Sequence, residues 1–574
     1  MSFIHDRRGQ SVVIGTVILF GFLVVALAVY QAQVVPQENA QVEFEHSQEV
    51  ENDVNDLRNA ILRVGSTGSA QSQRVRLGTR YPQRTFFVNP PPATGSIETT
   101  DPGTIQFENA DIDDSAHENV RFFWENGSGE FQTRSIQYTS DYNEFREAPT
   151  LTYEHSIVAA EFDDAVLFRS GQSVLRDNRL SLTTVSGDLS ESGVEARSVD
   201  ADPISQGART VPVTGDNGDI EVVLPTAIGD EDLAAAEWAD RLPEGADVES
   251  ETEAIRITLP DSSDPYRLRL SNVSVDGTGN AEPAYIVPVG SDTVAPDGEI
   301  GVEVRDKYNN PVTDADVDIN GDDFTTDDDG RVFTTVGSDD VVASIGPEDW
   351  QTVTFTVRSE ERAEEDRTFR TEWDTPDDRV AVFQDEDQLL PPVSVTDRDT
   401  GDPIVDAIVD VSYSVIDAEG GGPDSIDAED RTDSSGQTTV NFDASDAEVE
   451  DEFHTYVSAG DDVDRIEVEI IDEEDFEGPT FATLTADESQ VTGDRIITFD
   501  WSIDGTFDQI ILETDEESIT TTEQSGPVDL DTGAGANRQI TATVEGPDGS
   551  ETCTAQIGNN DSFDKDDFDC TISL

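Results

Sequence analysis

The first feature of the chain is a long apolar run near its N-terminus. The run extends from Val12 to Tyr30 without a charged residue and reads VVIGTVILFGFLVVALAVY. A helix of this length rises by about 28 Å, close to the thickness of the hydrocarbon core of a bilayer. We therefore predict a transmembrane helix over 10–31, which contacts the lipid bilayer through 12–30.

A polar segment after the apolar run keeps a helical period. Apolar residues recur at helical spacing from Val50 to Val64, and Gly65 follows as a candidate C-cap. The pattern predicts that the helix extends as a stalk over 32–65. The alternative is a membrane-proximal helix that packs on its own head domain.

Beyond residue 65 the pattern changes to short alternating runs separated by turn residues, which is typical of strands. The three prolines at 90–92 cannot continue a central strand and indicate an edge or a crossing loop. The pattern predicts one large β-rich domain over 66–290. A short helix from Asp230 to Leu242 interrupts it.

The C-terminal half contains an internal repeat. The stretch from Val304 to Val317 aligns with the stretch from Val395 to Val409, and TDDDGRV from Thr326 aligns with TDSSGQT from Thr432. Each copy reads as a strand, a tight turn that ends in Pro, a second strand and a hairpin turn at Gly. These units resemble the bacterial Ig-like and carboxypeptidase-regulatory-like sandwiches of surface proteins, and the resemblance implies spacers or adhesive arms.

The repeat and a later set of alternating runs divide this half into modules. We expect Ig-like sandwiches at 291–358 and 387–473, with a charged connector at 359–386 between them. An edge strand within 358–378, which contains Trp373, is an open alternative for part of the connector. A third sandwich over 478–574 resembles a fibronectin type III or Ig-like domain, with Trp501 in its core. The predicted fold class is mainly β: an N-terminal transmembrane helix with a helical extension, a large β-rich head and three tandem sandwiches.

The charge balance indicates the kind of solvent to which the protein is adapted. Lys and Arg number 34 and Asp and Glu number 125, which gives a net charge of −91. Spread along the whole chain, this excess resembles adaptation to high salt, where counterions screen self-repulsion, and a haloarchaeal source is expected. The same field argues against nucleic-acid binding, which needs clusters of Lys and Arg.

The charges at the N-terminus predict an orientation. His5, Arg7 and Arg8 precede the apolar run and the acidic remainder follows it. The positive-inside rule therefore places the N-terminus in the cytoplasm and the C-terminal body outside. We expect a single-pass protein of the cell membrane with residues 1–9 as a cytoplasmic leader.

The junction RRGQS at 7–11 resembles the class III signal of archaeal type IV pilins and archaellins. The resemblance implies cleavage between Gly9 and Gln10 by a prepilin peptidase, with the apolar helix retained, and other pilin-like subunits as partners. Ile14 would be the fifth mature residue, where bacterial type IV pilins usually carry Glu and archaeal members commonly do not. This departure weakens the prediction of polymerisation more than the prediction of processing.

Other interpretations of the N-terminus stay open. Residues 26–28, Ala-Leu-Ala, have the form of a secretory cleavage site, which would release the body. The arginine pair at 7–8 suggests twin-arginine export, although polar and small residues replace the apolar ones expected after it. The remaining alternative is an uncleaved signal anchor.

Three segments of the head carry a further resemblance. They are RLGTRYPQRTFFVNPPPATG around residue 77, YNEFREAPTLTYEHS at 142–156 and GQSVLRDNRLSLTTVSGDLS at 171–190. They resemble a family of haloarchaeal surface proteins with pilin-like N-termini, over roughly residues 7–290. The resemblance implies location and architecture but supplies no catalytic residues.

Residues with covalent chemistry are few. The two cysteines, Cys553 and Cys570, flank a polar stretch between short apolar runs, so we expect them on neighbouring strands as a disulfide; two free thiols are the alternative. Asn126, Asn272 and Asn560 begin N-glycosylation sequons.

The sequence predicts no catalytic residue, cofactor or metal. Its five histidines are not spaced as a metal motif, and His155 beside Glu154 is interpreted as structural. The segment from Thr325 to Gly330 imitates the start of an EF-hand loop, which arises easily in so acidic a chain.

Together these observations favour a non-enzymatic, membrane-anchored surface protein. Its role would be adhesion, cell-envelope organisation or a minor place in a pilus-like fibre, with other cell-surface proteins or glycans as partners. A ligand-binding or sensory ectodomain with a site in the 66–290 domain is the alternative. An extracellular hydrolase is the third hypothesis, for which the sequence supplies only His117 and His155 as candidate site histidines.

Overall fold

The structure is a computed structural model, and its described residues form two compact units. Unit 1 is Met1–Tyr285, Arg305–Val312 and Glu348–Gln351, and unit 2 is Ile286–Val304, Thr313–Pro347 and Thr352–Leu574. The described residues are 7–128, 130–215, 219–260, 262, 264–363, 367–375, 379–384, 387–418, 423, 425–428, 431–445, 447–471, 478–491, 494–505, 507, 509–514, 517–531, 538–546, 549–557, 562–565 and 568–573.

The helices are concentrated at the N-terminus. They are α1 (Arg7–Val29), α2 (Val35–Thr67), α3 (Glu118–Phe123), α4 (Glu231–Ala239) and α5 (Glu360–Ala363). A π-helical turn, Tyr30–Val34, joins α1 to α2, so the backbone is helical without interruption from Arg7 to Thr67. The short helix predicted after Asp230 is α4, and the Asp230 side chain caps it by accepting a hydrogen bond from the Leu233 N–H.

The strands of unit 1 follow α2 in the order β1 (Gln71–Val75), β2 (Thr94–Thr99), β3 (Gly103–Glu108), β4 (Ala110–Ile112), β5 (Glu130–Thr133), β6 (Ile136–Asp141), β7 (Thr150–Glu154), β8 (Ile157–Phe162), β9 (Ala165–Phe168), β10 (Leu175–Arg176), β11 (Arg179–Ser186), β12 (Ser190–Gly193), β13 (Arg197–Ser205), β14 (Val211–Gly215), β15 (Glu221–Pro225), β16 (Asp247–Glu251), β17 (Ala254–Thr258) and β18 (Tyr266–Val275). They form three sheets, of seven, six and five strands. The seven-stranded sheet contains β1-β13-β18-β11-β10 with β14 and β4, the six-stranded sheet is β12-β2-β6-β7-β8-β9, and the third is β16-β17-β15-β3-β5.

The second half of α2 lies in the core of unit 1. Its apolar residues from Val50 to Val64 pack with buried side chains of the seven-stranded and six-stranded sheets, among them Val75, Tyr153 and Val273. The helix is therefore the centre of the head, so the predicted extension over 32–65 is not a separate stalk beneath it.

The C-cap of α2 lies three residues beyond the one expected. Gly65 is buried within the helix, and a Cβ there would lie 2.8 Å from the Ser271 hydroxyl oxygen, so the absent side chain permits close packing on the sheet. The helix ends at Gly68, whose φ of 70° and N–H to the Val64 carbonyl form the cap.

The remaining strands are β19 (Tyr285–Val289), β20 (Thr293–Val294), β21 (Glu299–Arg305), β22 (Asp316–Ile319), β23 (Asp322–Thr325), β24 (Arg331–Thr335), β25 (Val341–Ser344), β26 (Thr352–Val357), β27 (Phe369–Trp373), β28 (Arg379–Phe383), β29 (Asp387–Leu389), β30 (Val393–Asp397), β31 (Asp410–Asp417), β32 (Ser425–Ala428), β33 (Gln437–Thr438), β34 (Val440–Asp443), β35 (Glu452–Ala459), β36 (Asp462–Ile471), β37 (Thr480–Val491), β38 (Asp494–Asp504), β39 (Gln509–Thr514), β40 (Ser518–Thr521), β41 (Val528–Asp531), β42 (Arg538–Gly546), β43 (Gly549–Ile557), β44 (Ser562–Asp564) and β45 (Asp569–Ser573). The fold is thus mainly β with one long N-terminal apolar helix.

The internal repeat has the same local structure in both copies. The Thr326 hydroxyl accepts a hydrogen bond from the Ala315 N–H at 2.8 Å, and the Thr432 hydroxyl accepts one from the Ala407 N–H at 2.9 Å. The glycine of each hairpin turn has a positive φ, 72° in the first copy and 77° in the second. The shared residues are therefore those that make the corner and the turn.

The prediction of a connector over 359–386 is wrong in its main part, because the segment contains two strands where at most one edge strand was expected. β27 pairs with β30, and β28 pairs in parallel with β36. Trp373 and Val382 from these strands lie in the core of the second sandwich. Charged residues at alternate positions concealed this apolar face, and the pairing partners are distant in sequence.

One continuous sheet joins the second and third sandwiches. Its nine strands run in the order β31-β35-β36-β28-β45-β43-β42-β39-β40. β45 is the joining strand, since it pairs with β43 of the third sandwich and, through Ile572 opposite Ala381, with β28 of the second. Trp501 is 2% exposed and lies in the core of the third sandwich.

The burial of α2 leads to a first testable prediction. Leu57→Ala should lower the free energy of unfolding of unit 1 by about 2–5 kcal/mol, because Leu57 is fully buried and the substitution leaves a cavity. Native-state hydrogen exchange of β18, which packs on α2, measures the change, with β36 of unit 2 as the internal reference. The matched control is Leu167→Ala at a residue 41% exposed; an equal effect of both substitutions would contradict the packing described.

Candidate functional site

Among the described residues, one helix is long and apolar enough to cross a membrane. It extends over Ile14–Thr67, its most apolar stretch has a mean hydropathy of 2.2, and none of that stretch is buried. Its length and its composition are the two properties that fit a membrane span. Phe20 and Phe22, for example, are 65% and 70% exposed. Gly9 and Gln10, the predicted processing residues, lie in the first turns of α1.

A stripe of buried residues runs along α2 and changes from polar to apolar. Its members recur at alternating spacings of four and three residues, which keeps them on one face of the helix. They are Asn39, Glu43, His46, Val50, Asp53, Leu57, Ala60 and Val64. The apolar part packs in the core, and the polar part must find hydrogen-bond partners because an unpaired buried polar group is costly.

Glu43 is the most heavily bonded member of the stripe. Its carboxylate accepts hydrogen bonds from the backbone N–H groups of Asn143, Glu144 and Phe145 at 2.9, 2.8 and 2.6 Å. The Tyr81 hydroxyl donates to the same carboxylate. Burial and the bond to Glu43 raise the pKa of Tyr81. One helix side chain thus organises the loop after β6.

His46 and Asp53 hold further parts of the head on the same face. His46 Nδ1 lies 2.7 Å from the Tyr142 hydroxyl, and burial lowers the pKa of His46 and raises that of Tyr142 to about 12. Asp53 accepts the backbone N–H of Arg76 at 3.0 Å, while its pKa is raised by burial. The helix and the head are therefore joined by polar as well as apolar contacts.

The segment before the triple proline follows the helix back towards α1. Arg84 donates to Asn39 Oδ1 and to Glu38, both at 2.9 Å. Further on, the Gln31 side-chain amide bonds both the N–H and the carbonyl of Val88, at 3.0 and 2.9 Å. The contacts place residues 84–88 beside the π-helical turn that follows α1.

The two histidines on which a hydrolase would depend have structural roles. His155 is buried in the turn between β7 and β8, with Nε2 2.6 Å from the Pro225 carbonyl, and burial lowers its pKa. His117 caps α3, where Nδ1 accepts the Asn119 N–H at 3.1 Å. The structure places them on different elements and gives each its own local partner.

The sequons differ in their surroundings. Asn126 is exposed in the π-helical turn Trp124–Ser128 that follows α3, and its side chain donates to the Phe122 carbonyl. Asn272 is half-buried on β18, inside the seven-stranded sheet, and accepts a hydrogen bond from Thr184. It does not present the exposed acceptor that the sequon suggested, and Asn560 lies outside the described residues.

The cysteines face each other on paired strands. Cys553 of β43 is directly opposite Cys570 of β45, and the structure joins their sulfurs at 2.10 Å. The Glu551 carboxylate lies within 4.8 Å of both sulfurs. Cysteines joined to each other are not thiolates and do not ligate a metal. The bond crosses to the strand that links the second and third sandwiches.

The loop that imitates an EF-hand is closed by its own backbone. The Asp327 carboxylate accepts the N–H groups of Asp329 and Arg331 at 3.0 and 2.8 Å, and Ser412 donates to it. Burial raises the pKa of Asp327. Arg331, itself 2% exposed, pairs with Glu303 and Asp410. The Asp327 carboxylate is therefore bonded by groups of the chain itself, and the Arg331 guanidinium pairs with acidic residues outside the loop.

A groove of about 490 Å³ lies beside this loop in unit 2. Aromatic side chains from two sandwiches line it, including Phe333, Tyr413 and Tyr456. Phe333 and Tyr456 stack with ring centroids 5.0 Å apart. Val415, which is 54% exposed, forms part of its lining. The sequence suggested the head as the place of a ligand site and does not indicate this groove.

Comparisons with known proteins give no family. No protein-family model matches the chain. An uncharacterised protein of Archaeoglobus fulgidus is 24% identical over 185 residues, which is 32% of this chain and 30% of that protein's length. The chain therefore spans less than a third of the relative that it matches.

The structural neighbours are immunoglobulin-domain proteins. A titin fragment matches with 12% identity over 46% of this chain and 94% of its own (TM-score 0.13), and Sidekick-1 immunoglobulin domains 1–5 with 10% over 81% and 99% (0.12). The four N-terminal Ig domains of Dscam1 isoform 7.44 match with 9% over 66% and 96% (0.12). TM-scores of this size do not establish a shared fold. The fold described here is defined by the strand pairing given above.

The contacts of Glu43 yield a prediction about the helix and the head. Glu43→Gln replaces one of the two accepting carboxylate oxygens by an NH2 group, which cannot accept from a backbone N–H, at an expected cost of about 1–3 kcal/mol in the free energy of unfolding. Hydrogen exchange should accelerate at the amides of Asn143, Glu144 and Phe145. The control is Glu45→Gln at an exposed position of the same helix. Unchanged protection in Glu43→Gln would show that these bonds do not hold the loop.

Proposed function

We propose that the protein is a non-enzymatic, membrane-anchored surface protein with its N-terminus in the cytoplasm, α1 in the membrane and the body that follows it outside the cell. The observation that supports this most strongly is the continuous helix from Arg7 to Thr67. Its first half is apolar and exposed, and its second half is buried in the head. A helix that crosses a bilayer needs the first property, and a firmly held head needs the second.

The N-terminal junction supports a pilin-like anchor. The residues RRGQS precede the apolar segment, and cleavage between Gly9 and Gln10 by a prepilin peptidase would leave α1 intact. A helix exposed on all sides suits packing in lipid or against the helices of other pilin-like subunits. We propose a role in adhesion or envelope organisation, or as a minor component of a pilus-like fibre.

The composition and architecture of the body are consistent with this role. Sandwiches that share one sheet across the second and third modules give reach without an open hinge. A net charge of −91 keeps such a surface soluble in concentrated salt, which supports a haloarchaeal source. Other surface proteins or glycans would be the partners.

A ligand-binding ectodomain is the second candidate, and the groove in unit 2 favours it. The groove combines aromatic rings with the polar side chains of Asp327 and Arg331, a mixture that binding sites commonly use. A hydrolase has less support, because His117 and His155 have the structural partners described above.

The mature N-terminus tests the proposal. Peptide mass mapping of protein from its native membrane should give a start at Gln10, and Gly9→Val should retain the leader because the peptidase would no longer accept the site. Ser11→Ala, just beyond the cleaved bond, is the control and should be processed normally. A start at residue 1 or 2 in the native protein would exclude pilin-like processing. A start near Val29 would mean a released body and would exclude the anchor as well.

A further inference from the structure

The segment 85–88 exposes two large apolar side chains in a chain of high charge. Phe86 is 82% exposed and Val88 is 78% exposed, more than any of the exposed apolar residues of α1 among the described residues. The sequence from Thr85 to Ile97 contains no charged residue, although 125 of 574 residues are acidic. Exposed large apolar side chains in a segment that itself has no charged residue indicate a surface that is covered in use.

The exposure of Phe86 and Val88 does not come from a loosely attached loop. The residue between them, Phe87, stacks on Tyr30 with ring centroids 4.5 Å apart. The Gln31 amide makes two hydrogen bonds with the backbone of Val88, as a neighbouring strand would. Inward contacts at Phe87 therefore leave the side chains on either side of it facing outward.

The residues that hold this segment are the last of the apolar run. Tyr30 ends the uncharged stretch VVIGTVILFGFLVVALAVY, and Gln31 follows it. Tyr is enriched at the level of the lipid headgroups, where its ring is apolar and its hydroxyl is wet. The Tyr30 hydroxyl donates to Glu38 at 2.9 Å, which directs it away from the apolar run. If α1 spans a bilayer, the segment lies at its surface.

We propose that residues 85–88 form a membrane-contacting wedge, in which Phe86 and Val88 enter the interface of the same bilayer that α1 crosses. The inference rests on the proposed function, because it needs α1 to lie in lipid. The absence of acidic residues in the wedge avoids repulsion by an anionic surface, which the rest of the chain would experience. Helix and wedge together give the head two contacts with the membrane and restrict its tilt.

Depth-dependent fluorescence quenching of the full chain tests the wedge. Single cysteines are introduced as Phe86→Cys, Val88→Cys, Val25→Cys and Leu167→Cys and labelled with an environment-sensitive nitrobenzoxadiazole. The protein is reconstituted in vesicles of phosphatidylcholine and phosphatidylglycerol in concentrated KCl, with lipids spin-labelled at the headgroup or deep in the acyl chain. The unsubstituted chain, whose two cysteines are joined, is the labelling blank.

Two control positions are used, one within the apolar helix and one far from it. Val25 lies within α1 and should be quenched by the deep label. Leu167 is exposed on β9, and nearby Arg169 pairs with Glu51, twenty residues beyond Gln31 and so about 30 Å along the helix. Leu167 should be quenched only by aqueous iodide. We expect labels at Phe86 and Val88 to shift to the blue, to lose iodide quenching and to be quenched by the headgroup label.

The outcomes separate the inference from the proposal beneath it. If the Val25 label is not quenched by lipid, the anchor itself fails. If Val25 is quenched while Phe86 and Val88 remain as open to iodide as Leu167, the wedge is overturned and the anchor stands. If they are protected only at high protein-to-lipid ratio, a second copy of the chain covers the segment and the assignment to lipid is overturned.

Discussion

The packing of α2 between two sheets is the contact on which unit 1 depends. The helix contributes an apolar stripe from Val50 to Val64 to the core and a polar stripe from Asn39 to His46 to the surrounding loops. Because α2 continues into α1 without a break, whatever holds α1 also holds the head. The functional proposal follows from this continuity more than from any single site.

Unit 2 is held together by different contacts. The Thr and Gly of each repeat close the same corner twice. Arg331 joins the first two sandwiches through its buried pairing with Glu303 and Asp410. A buried ion pair of this kind contributes geometric specificity more dependably than stability. The shared β45 strand, tied by the cysteines, then continues the second sandwich into the third.

The sequence predicted those features that depend on local pattern. The apolar run, the β character of the body and the repeat corners each follow from residues close together in the chain. The strand β28 and the place of β27 in the second sandwich were missed because the partners lie in β36 and β30, which no local period reveals. Asn272 looked like an exposed acceptor because a sequon carries no information on strand pairing.

The polar contacts of α2 could have been foreseen in part. Asn39, Glu43 and His46 continue the spacing of the apolar stripe backwards, which marks them as inward-facing. Their partners, such as the backbone at 143–145, come from loops that only the folded chain brings near. The groove in unit 2 was not visible in the sequence for the same reason, since two sandwiches supply its walls.

The central claim is that one rigid helix serves as anchor and as core of the head. Spin labels at Leu23→Cys and Gln41→Cys, both exposed positions, lie on either side of the π-helical turn. Their separation of eighteen residues corresponds to about 27 Å along a helix. Pulsed electron–electron double resonance on the full chain in lipid should give a single narrow distance distribution near this value. A broad distribution would show that the helix bends freely at Tyr30–Val34, which would contradict a rigid connection between anchor and head.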